Sequence, residues 1–178
     1  MDRALLVFLN GLVRLPGVEQ VCWLVDQAWS PLLLLVAVGI DVARRRRWWE
    51  ILGVLLAVIA SDTLCAQVLK PLIARPRPCL DVAGILAPFG CGPSFSMPSC
   101  HAANAFALAM VLDRPWAWGV AVIIALSRAV AGVHYPTDLV AGAALGVAIG
   151  WPLRVLVLHL GRRRKPPPSP AVRRGGIA

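Results

Sequence analysis

The sequence has few charged residues and lacks several features of common soluble domains. Asp, Glu, Lys and Arg make up 15% of its 178 residues, whereas soluble domains carry about 25%. None of the five cysteines has the Cys-x-x-Cys spacing, which argues against a zinc site. Aromatic residues make up only 7%, and stacking platforms that bind nucleic acid are lacking. We therefore expect neither a metal nor a nucleic-acid partner.

Hydrophobic residues, in contrast, make up 58% of the chain and form long blocks. Such blocks cross membranes as helices, because a helix satisfies its own backbone hydrogen bonds in lipid. The sequence predicts an all-α, polytopic membrane bundle with five or six membrane-associated helices, in one domain over residues 1–161. The predicted spans cover residues 20–41, a block that ends near Lys70, and residues 99–112, 116–130 and 136–160. Any β-structure is expected to be a short hairpin in the loop 71–97.

The first apolar stretch, residues 2–14, is shorter than the others. A helix of this length measures about 20 Å, whereas the hydrocarbon core is about 30 Å thick. Arg3, Asn10 and Arg14 fall on one face of it, which is typical of an amphipathic helix lying in the membrane interface. A tilted or partial span is the alternative.

The net charge of +9 is concentrated in short clusters between and after the apolar blocks. Residues 44–47 and 162–165 are basic, as expected for segments on the cytoplasmic side of a bacterial inner membrane. Alternation of the spans then places loops 71–97 and 131–136 on the external side, which faces the periplasm or the cell exterior. Residues 162–178 are predicted to form a disordered, basic, proline-rich cytoplasmic tail.

Polar residues suited to phosphate chemistry gather at the predicted periplasmic ends of the spans. Cations and a helix N-terminus suit a phosphoryl group, and two histidines can supply a nucleophile and a general acid. A carboxylate can hold one imidazole in the required tautomer. The three segments that carry these residues are Lys70 with Arg77-Pro78, Pro98-Ser99-Cys100-His101, and Ser127-Arg128 with His134 and Asp138.

These three motifs resemble the K-x6-RP, PSGH and SR-x5-H-x3-D patterns of the type 2 phosphatidic acid phosphatase superfamily. The resemblance implies a metal-independent, cofactor-free lipid phosphatase that forms a phosphohistidine. It implies that His134 attacks phosphorus, Asp138 orients His134, and His101 protonates the leaving group. The implied phosphate-binding residues are Lys70, Arg77, Ser99 and Arg128. The chain departs from the pattern at Cys100, where the family has glycine.

Several assignments stay open at this stage. Arg75, which also precedes a proline, could replace Arg77. The expected partners are membrane lipids and a lipid phosphate or diphosphate substrate. Undecaprenyl diphosphate is the first candidate, with lipid A 1-phosphate and phosphatidylglycerol phosphate as alternatives. A non-catalytic membrane interaction protein is the alternative from a different class. Cys79 and Cys91 are expected to be either a disulfide or two free thiols, with Cys100 as a rival partner.

Overall fold

The computed structural model describes residues 1–27 and 30–163, and all regular structure within these ranges is helical. This confirms the all-α prediction, and the anticipated hairpin is not found in loop 71–97. The helices are α1 (Asp2–Gly11), α2 (Val18–Asp26), α3 (Ser30–Arg45), α4 (Trp49–Thr63), α5 (Lys70–Ile73), α6 (Pro78–Asp81), α7 (Cys100–Leu112), α8 (Pro115–Val130) and α9 (Pro136–Arg163). A 3₁₀ turn at Leu12–Arg14 follows α1, and a π-helical segment at Leu64–Leu69 joins α4 to α5.

In the part of the chain that the structure describes, two helical stretches are long and apolar enough to cross a membrane, Trp49–Asp81 and Pro136–Gly161. Only 28% and 22% of their apolar windows are buried within the protein. The remaining apolar surface is therefore available to lipid. Helices α7 and α8 are apolar but shorter, and a third span is formed only if the stretch from Asp2 to Asp26 counts as one. That stretch is bent by 102° between the 3₁₀ turn and α2.

The predicted continuous span over residues 20–41 is wrong. Helix α2 ends at Asp26, and Gln27 has the extended dihedral angles φ −65° and ψ 140°. Pro31 explains the break, because it lies in the first turn of α3 and has no N–H to donate to the carbonyl of Gln27. In an unbroken helix its ring would also collide with that carbonyl. The chain therefore divides into α2 and α3.

Close packing of α7 against α9 forms the centre of the bundle. Three glycines of α9 face α7, and a Cβ at Gly142 or Gly146 would collide with the carbonyl oxygen of Ser99 or Ala103. At Gly150 a Cβ would lie 2.7 Å from the carbonyl oxygen of Ala107. Small residues at such positions let helix backbones approach closely. The first turns of α7 and α9 are therefore held side by side.

Ion pairs of Arg114 and of the buried Glu50 join the helices at one end of the bundle. Arg114, at the start of α8, donates to Glu50 at 3.0 Å and to Asp41 at 3.3 Å. Arg47 also contacts Glu50, at 2.9 Å. This end contains the basic residues 44–47, whereas α7 and α9 begin at the opposite end. The predicted basic tail lies, beyond Arg163, outside the described residues.

Two disulfides restrain the chain at that opposite end. Cys79 and Cys91 are bonded, with their Cα atoms 6.1 Å apart, which agrees with the first pairing considered above. Cys65 and Cys100 form a second disulfide, with a Cα separation of 5.7 Å. The sequence did not predict this second pairing. It joins the π-helical segment to the first turn of α7.

Candidate active site

A cavity of about 550 Å³ opens where α7 and α9 begin and α8 ends. Five of the seven predicted site residues line it: Lys70, Arg77, His101, Arg128 and His134. The other two, Ser99 and Asp138, are fully buried and do not line the cavity. Residues that are distant in sequence meet here because the helix termini and loops that carry them lie at the same side of the bundle.

Lys70 and Arg77 are held by the loop that precedes α7. Lys70 Nζ donates to the carbonyl oxygen of Phe95 at 2.7 Å and contacts Ser94 Oγ at 3.4 Å. Arg77 donates through Nε to the Ser94 carbonyl at 2.7 Å and through Nη2 to Ser94 Oγ at 2.8 Å. Ser94 therefore fixes both cations relative to each other. The predicted motifs did not include Ser94, because it lies between them.

Arg128, near the end of α8, is held by α2. Its Nη1 donates to Asp26 Oδ1 at 2.6 Å, and its Nη2 contacts the carbonyl oxygen of Cys22 at 3.5 Å. Only 3% of its side chain is exposed. Asp26 also lines the cavity and offsets part of the positive charge. The cavity wall then carries three cations and one carboxylate, a balance suited to a phosphoryl group.

His134 lies in a tight loop between α8 and α9. The turn that begins this loop needs Gly132, which has φ +73° and where a Cβ would meet the carbonyl oxygen of Leu86. Burial lowers the pKa of His134 to about 4, against the opposing effect of the Asp138 carboxylate. His134 is therefore neutral at physiological pH, the state that a nucleophilic imidazole requires.

Asp138, in the first turn of α9, lies behind His134. Its Oδ2 accepts a hydrogen bond from the Tyr135 backbone N–H at 2.8 Å. The same oxygen is 3.6 Å from His134 Nδ1, which is slightly too long for a hydrogen bond. That Nδ1 is buried and has no hydrogen-bond partner among the described residues. A small closing movement would complete the pair.

The start of α7 brings His101 to the cavity and places Ser99 beneath it. Ser99 is the N-cap, and its Oγ accepts a hydrogen bond from the Ala102 N–H at 3.5 Å. Its own N–H donates to the Asp138 carbonyl oxygen at 3.0 Å. The Ser99 side chain thus serves the helix and lies off the cavity wall, away from its predicted phosphate-binding position. Cys100 lines the cavity and is tied to Cys65.

The structure separates the two arginines that the sequence left as alternatives. Arg77 lines the cavity and Arg75 does not. Arg75 instead donates to Asp138 Oδ1 at 2.8 Å and to Asp2 Oδ2 at 2.8 Å. No residue of the N-terminal segment 2–14 lines the cavity either.

Within the described ranges, no group of three His, Cys, Asp or Glu side chains could hold a metal ion. Two imidazoles face a space surrounded by three cations, and a buried carboxylate stands behind one imidazole. This arrangement can bind a phosphate ester, attack its phosphorus and protonate its leaving oxygen.

Comparison with known proteins agrees with this geometry. A family model described as the PAP2 superfamily matches residues 51–162. A decaprenylphosphoryl-5-phosphoribose phosphatase of Mycobacterium tuberculosis is 35% identical over 126 residues, which cover 68% of this chain and 67% of that protein. A lipid A 4'-phosphatase of Bacteroides thetaiotaomicron is 36% identical over 115 residues, or 57% of this chain and 51% of that protein. The crystal structure of Aquifex aeolicus LpxE has the same fold, with a TM-score of 0.69 and 24% identity, covering 89% of this chain and 94% of that one.

Proposed function

The chain belongs to the PAP2 superfamily and is a metal-independent membrane lipid phosphatase, and from this premise we propose that it works through a phosphohistidine on His134. The observation that carries the proposal is the buried, neutral imidazole on the cavity wall with the Asp138 carboxylate behind its Nδ1. With the proton on Nδ1 facing Asp138, Nε2 keeps a free lone pair. That lone pair attacks phosphorus.

His101 is the proposed general acid. His101 must be an imidazolium for this step, and the negative charge of the bound phosphate favours that form. When Nε2 of His134 forms the P–N bond, the bond between phosphorus and the lipid oxygen breaks, and the His101 imidazolium gives its proton to that oxygen. Water then attacks the phosphohistidine and gives a proton back to His101. The P–N bond breaks, inorganic phosphate leaves, and both histidines return to their starting states. Both histidines line the same cavity, which supports these roles.

Lys70, Arg77 and Arg128 are the proposed phosphate ligands. They come from three different elements and surround the cavity that contains both histidines. Cations placed around the equatorial oxygens stabilise the charge of the transferred phosphoryl group. We propose that Ser99 acts on the phosphate indirectly, by capping α7 and fixing the N-terminus of that helix next to the phosphate. Its buried Oγ is directed to the backbone.

We also propose that the protein has five or six membrane-associated helices. Its cavity lies on the periplasmic side of a bacterial inner membrane. The basic residues 44–47 lie at the opposite end of the bundle from the cavity, as the positive-inside rule requires for this orientation. The cavity volume of about 550 Å³ is of the size that holds a small polar group. The head group would therefore enter while the hydrocarbon chains stay in the bilayer.

Two lines of support favour different lipid substrates. The length and predicted orientation of the chain favoured undecaprenyl diphosphate, with lipid A 1-phosphate and phosphatidylglycerol phosphate as alternatives. The names of the relatives above describe phosphatases of a polyprenyl-linked phosphoribose and of lipid A, neither of which is named as a diphosphate. A lipid-linked phosphate monoester is therefore the second candidate, and the relatives favour it.

Purified full-length protein, assayed for phosphate release without added metal, tests the proposal. The substrates are undecaprenyl diphosphate, a polyprenyl-linked sugar phosphate, lipid A and phosphatidylglycerol phosphate at equal surface concentration. His134→Ala is the control for chemistry at this site. Release of phosphate from one lipid by the wild-type protein and none by His134→Ala is the expected result. Wild-type protein that binds these lipids but releases no phosphate would instead support a non-catalytic interaction protein.

A further inference from the structure

Arg75 makes contacts that no motif assigned to it. Its Nη1 donates to Asp138 Oδ1 at 2.8 Å and to Thr137 Oγ1 at 2.7 Å. Its Nη2 donates to Asp2 Oδ2 at 2.8 Å. The Tyr135 ring centroid lies 3.8 Å from its guanidinium carbon. Both terminal nitrogens are thus engaged by the start of α9 and by the N-terminal helix, on the side of Asp138 away from the cavity.

Asp2 binds the same turn directly. One of its carboxylate oxygens accepts a hydrogen bond from the Thr137 backbone N–H at 3.1 Å. The other accepts from Thr137 Oγ1 at 2.6 Å and from Arg75. A carboxylate at a helix N-terminus satisfies a free N–H and interacts favourably with the helix dipole. The first residue of α1 therefore holds both Arg75 and the turn that contains Asp138.

We propose that Arg75, held by Asp2, is a positioning residue that fixes the Asp138 carboxylate toward His134. This inference rests on the proposed function, because it assigns Arg75 a role only if His134 is the nucleophile. Asp138 is 0% exposed, so its two oxygens need fixed partners. Arg75 takes Oδ1 and the Tyr135 N–H takes Oδ2, which leaves the remaining acceptor position of Oδ2 for His134 Nδ1.

Two other roles for Arg75 agree less well with the contacts. It does not line the cavity, and both terminal nitrogens already have carboxylate partners, so it is poorly placed to bind phosphate. A purely structural anchor for α1 would need only Asp2. The hydrogen bond from Arg75 Nη1 to the fully buried Asp138 carboxylate is not needed to anchor α1. A guanidinium suits this double task because its planar fork can serve two carboxylates at once.

The arrangement has a consequence for the titration of His134. Removal of Arg75 leaves the Asp138 charge uncompensated, and an uncompensated carboxylate favours the imidazolium form of its neighbour. The nucleophile would then protonate at higher pH. Besides Asp138, the groups that act on His134 are Lys70, Arg77 and His101, and they stay unchanged. Arg128 and Asp26, which line the same cavity, also stay unchanged.

The experiment compares Arg75→Ala, Arg75→Lys and Asp2→Asn with wild type in full-length protein. Arg3→Ala is the matched control, because Arg3 also joins α1 to another segment, through Asp81 at 2.8 Å, without touching Asp138. The kcat/KM for a water-soluble phosphate ester is measured from pH 3 to 9. Thermal unfolding of each variant is measured in parallel.

For Arg75→Ala we expect kcat/KM to fall about 10- to 100-fold, the range for groups that orient a catalytic ligand. We also expect the acid limb of the profile to move up by about one pH unit. Arg75→Lys should restore the acid limb through its charge and recover only part of kcat/KM. Asp2→Asn should lose several-fold, and Arg3→Ala should behave as wild type.

The pH profile separates positioning from folding, because loss of folded protein lowers activity equally at every pH. An unmoved acid limb in both Arg75→Ala and Asp2→Asn would overturn the proposal, whatever the loss of activity. If Arg75→Ala does not fold, Asp2→Asn decides alone: an acid limb that moves up supports the proposal, and an unmoved limb overturns it. Wild-type protein without phosphatase activity would instead refute the proposed function, so the two failures are distinguishable.

Discussion

Gly142 offers the sharpest test of how the fold positions the site. It lies one turn after Asp138 in α9, and its Cα faces the carbonyl oxygen of Ser99, two residues before His101. A Cβ added there would collide with that oxygen and would lie 3.1 Å from the Cβ of Ala102. Because the obstacle is backbone, no side chain can move aside. Gly142→Ala must therefore push α7 and α9 apart near their first turns. Those two turns position His101 and His134.

The size of the movement can be worked from the same helix face. Ordinary van der Waals contact begins at 3.4 Å, and a Cβ at Gly150 would lie 2.7 Å from its nearest oxygen. The shortfall there is about 0.7 Å, and the approach at Gly142 is closer still. Overpacking of this kind costs about 1–3 kcal/mol. A misplacement of about 1 Å at a catalytic group lowers the rate roughly 100-fold.

The assay measures kcat/KM for lipid phosphate release and the thermal unfolding midpoint of Gly142→Ala. Gly119→Ala is the matched control, because it adds the same methyl group to α8, where nothing lies within 4 Å of the new Cβ. It should keep full activity and gain about 0.4–1 kcal/mol of stability from the lower entropy of the unfolded chain. Wild-type activity and an unchanged midpoint in Gly142→Ala would refute the packing argument.

Three further predictions concern the chemistry and the disulfides. His101→Ala should slow hydrolysis of a lipid phosphate far more than that of an activated aryl phosphate, whose leaving group needs no proton; equal losses would count against a general acid. The acid limb of wild-type kcat/KM should lie well below pH 6.5, because burial lowers the pKa of His134 to about 4 and activity is lost only as pH falls through that value; a limb at 6.5 in the free enzyme would contradict it. Alkylation of the denatured, unreduced protein should modify one thiol, Cys22, and mass spectrometry showing five modified cysteines would contradict both disulfides.

Much of the fold could be predicted because its cause is local. A long apolar block becomes a helix in lipid wherever it occurs, since the backbone has no other partner there, and α4, α8 and α9 follow their blocks. The error over residues 20–41 has a local cause too. Hydropathy averages over a window and ignores Pro31, whose missing N–H divides α2 from α3. Because proline lacks an N–H, Pro31 by itself predicts a break in the helix at this point.

The candidate site was predictable in its residues but not in how those residues are held. Motif spacing and helix alternation placed Lys70, Arg77, His101, Arg128 and His134 together, and they line one cavity. Their functional roles stay predictions. The partners of these residues come from segments without a recognisable pattern, such as Ser94 and Asp26. A single serine or aspartate in a loop carries no periodic signal, so nothing in the sequence singles it out.

By itself, the sequence determined the helical membrane architecture, the set of candidate site residues and the end of the bundle at which most of them meet. These follow from composition, from spacing and from the reversal of direction between successive helices. Only the tertiary structure decided that Arg77 faces the cavity while Arg75 binds Asp138, and that Ser99 caps α7. It also decided that Cys65 pairs with Cys100. The physical reason is that such choices depend on distances of a few ångströms between segments far apart in sequence, which only packing sets.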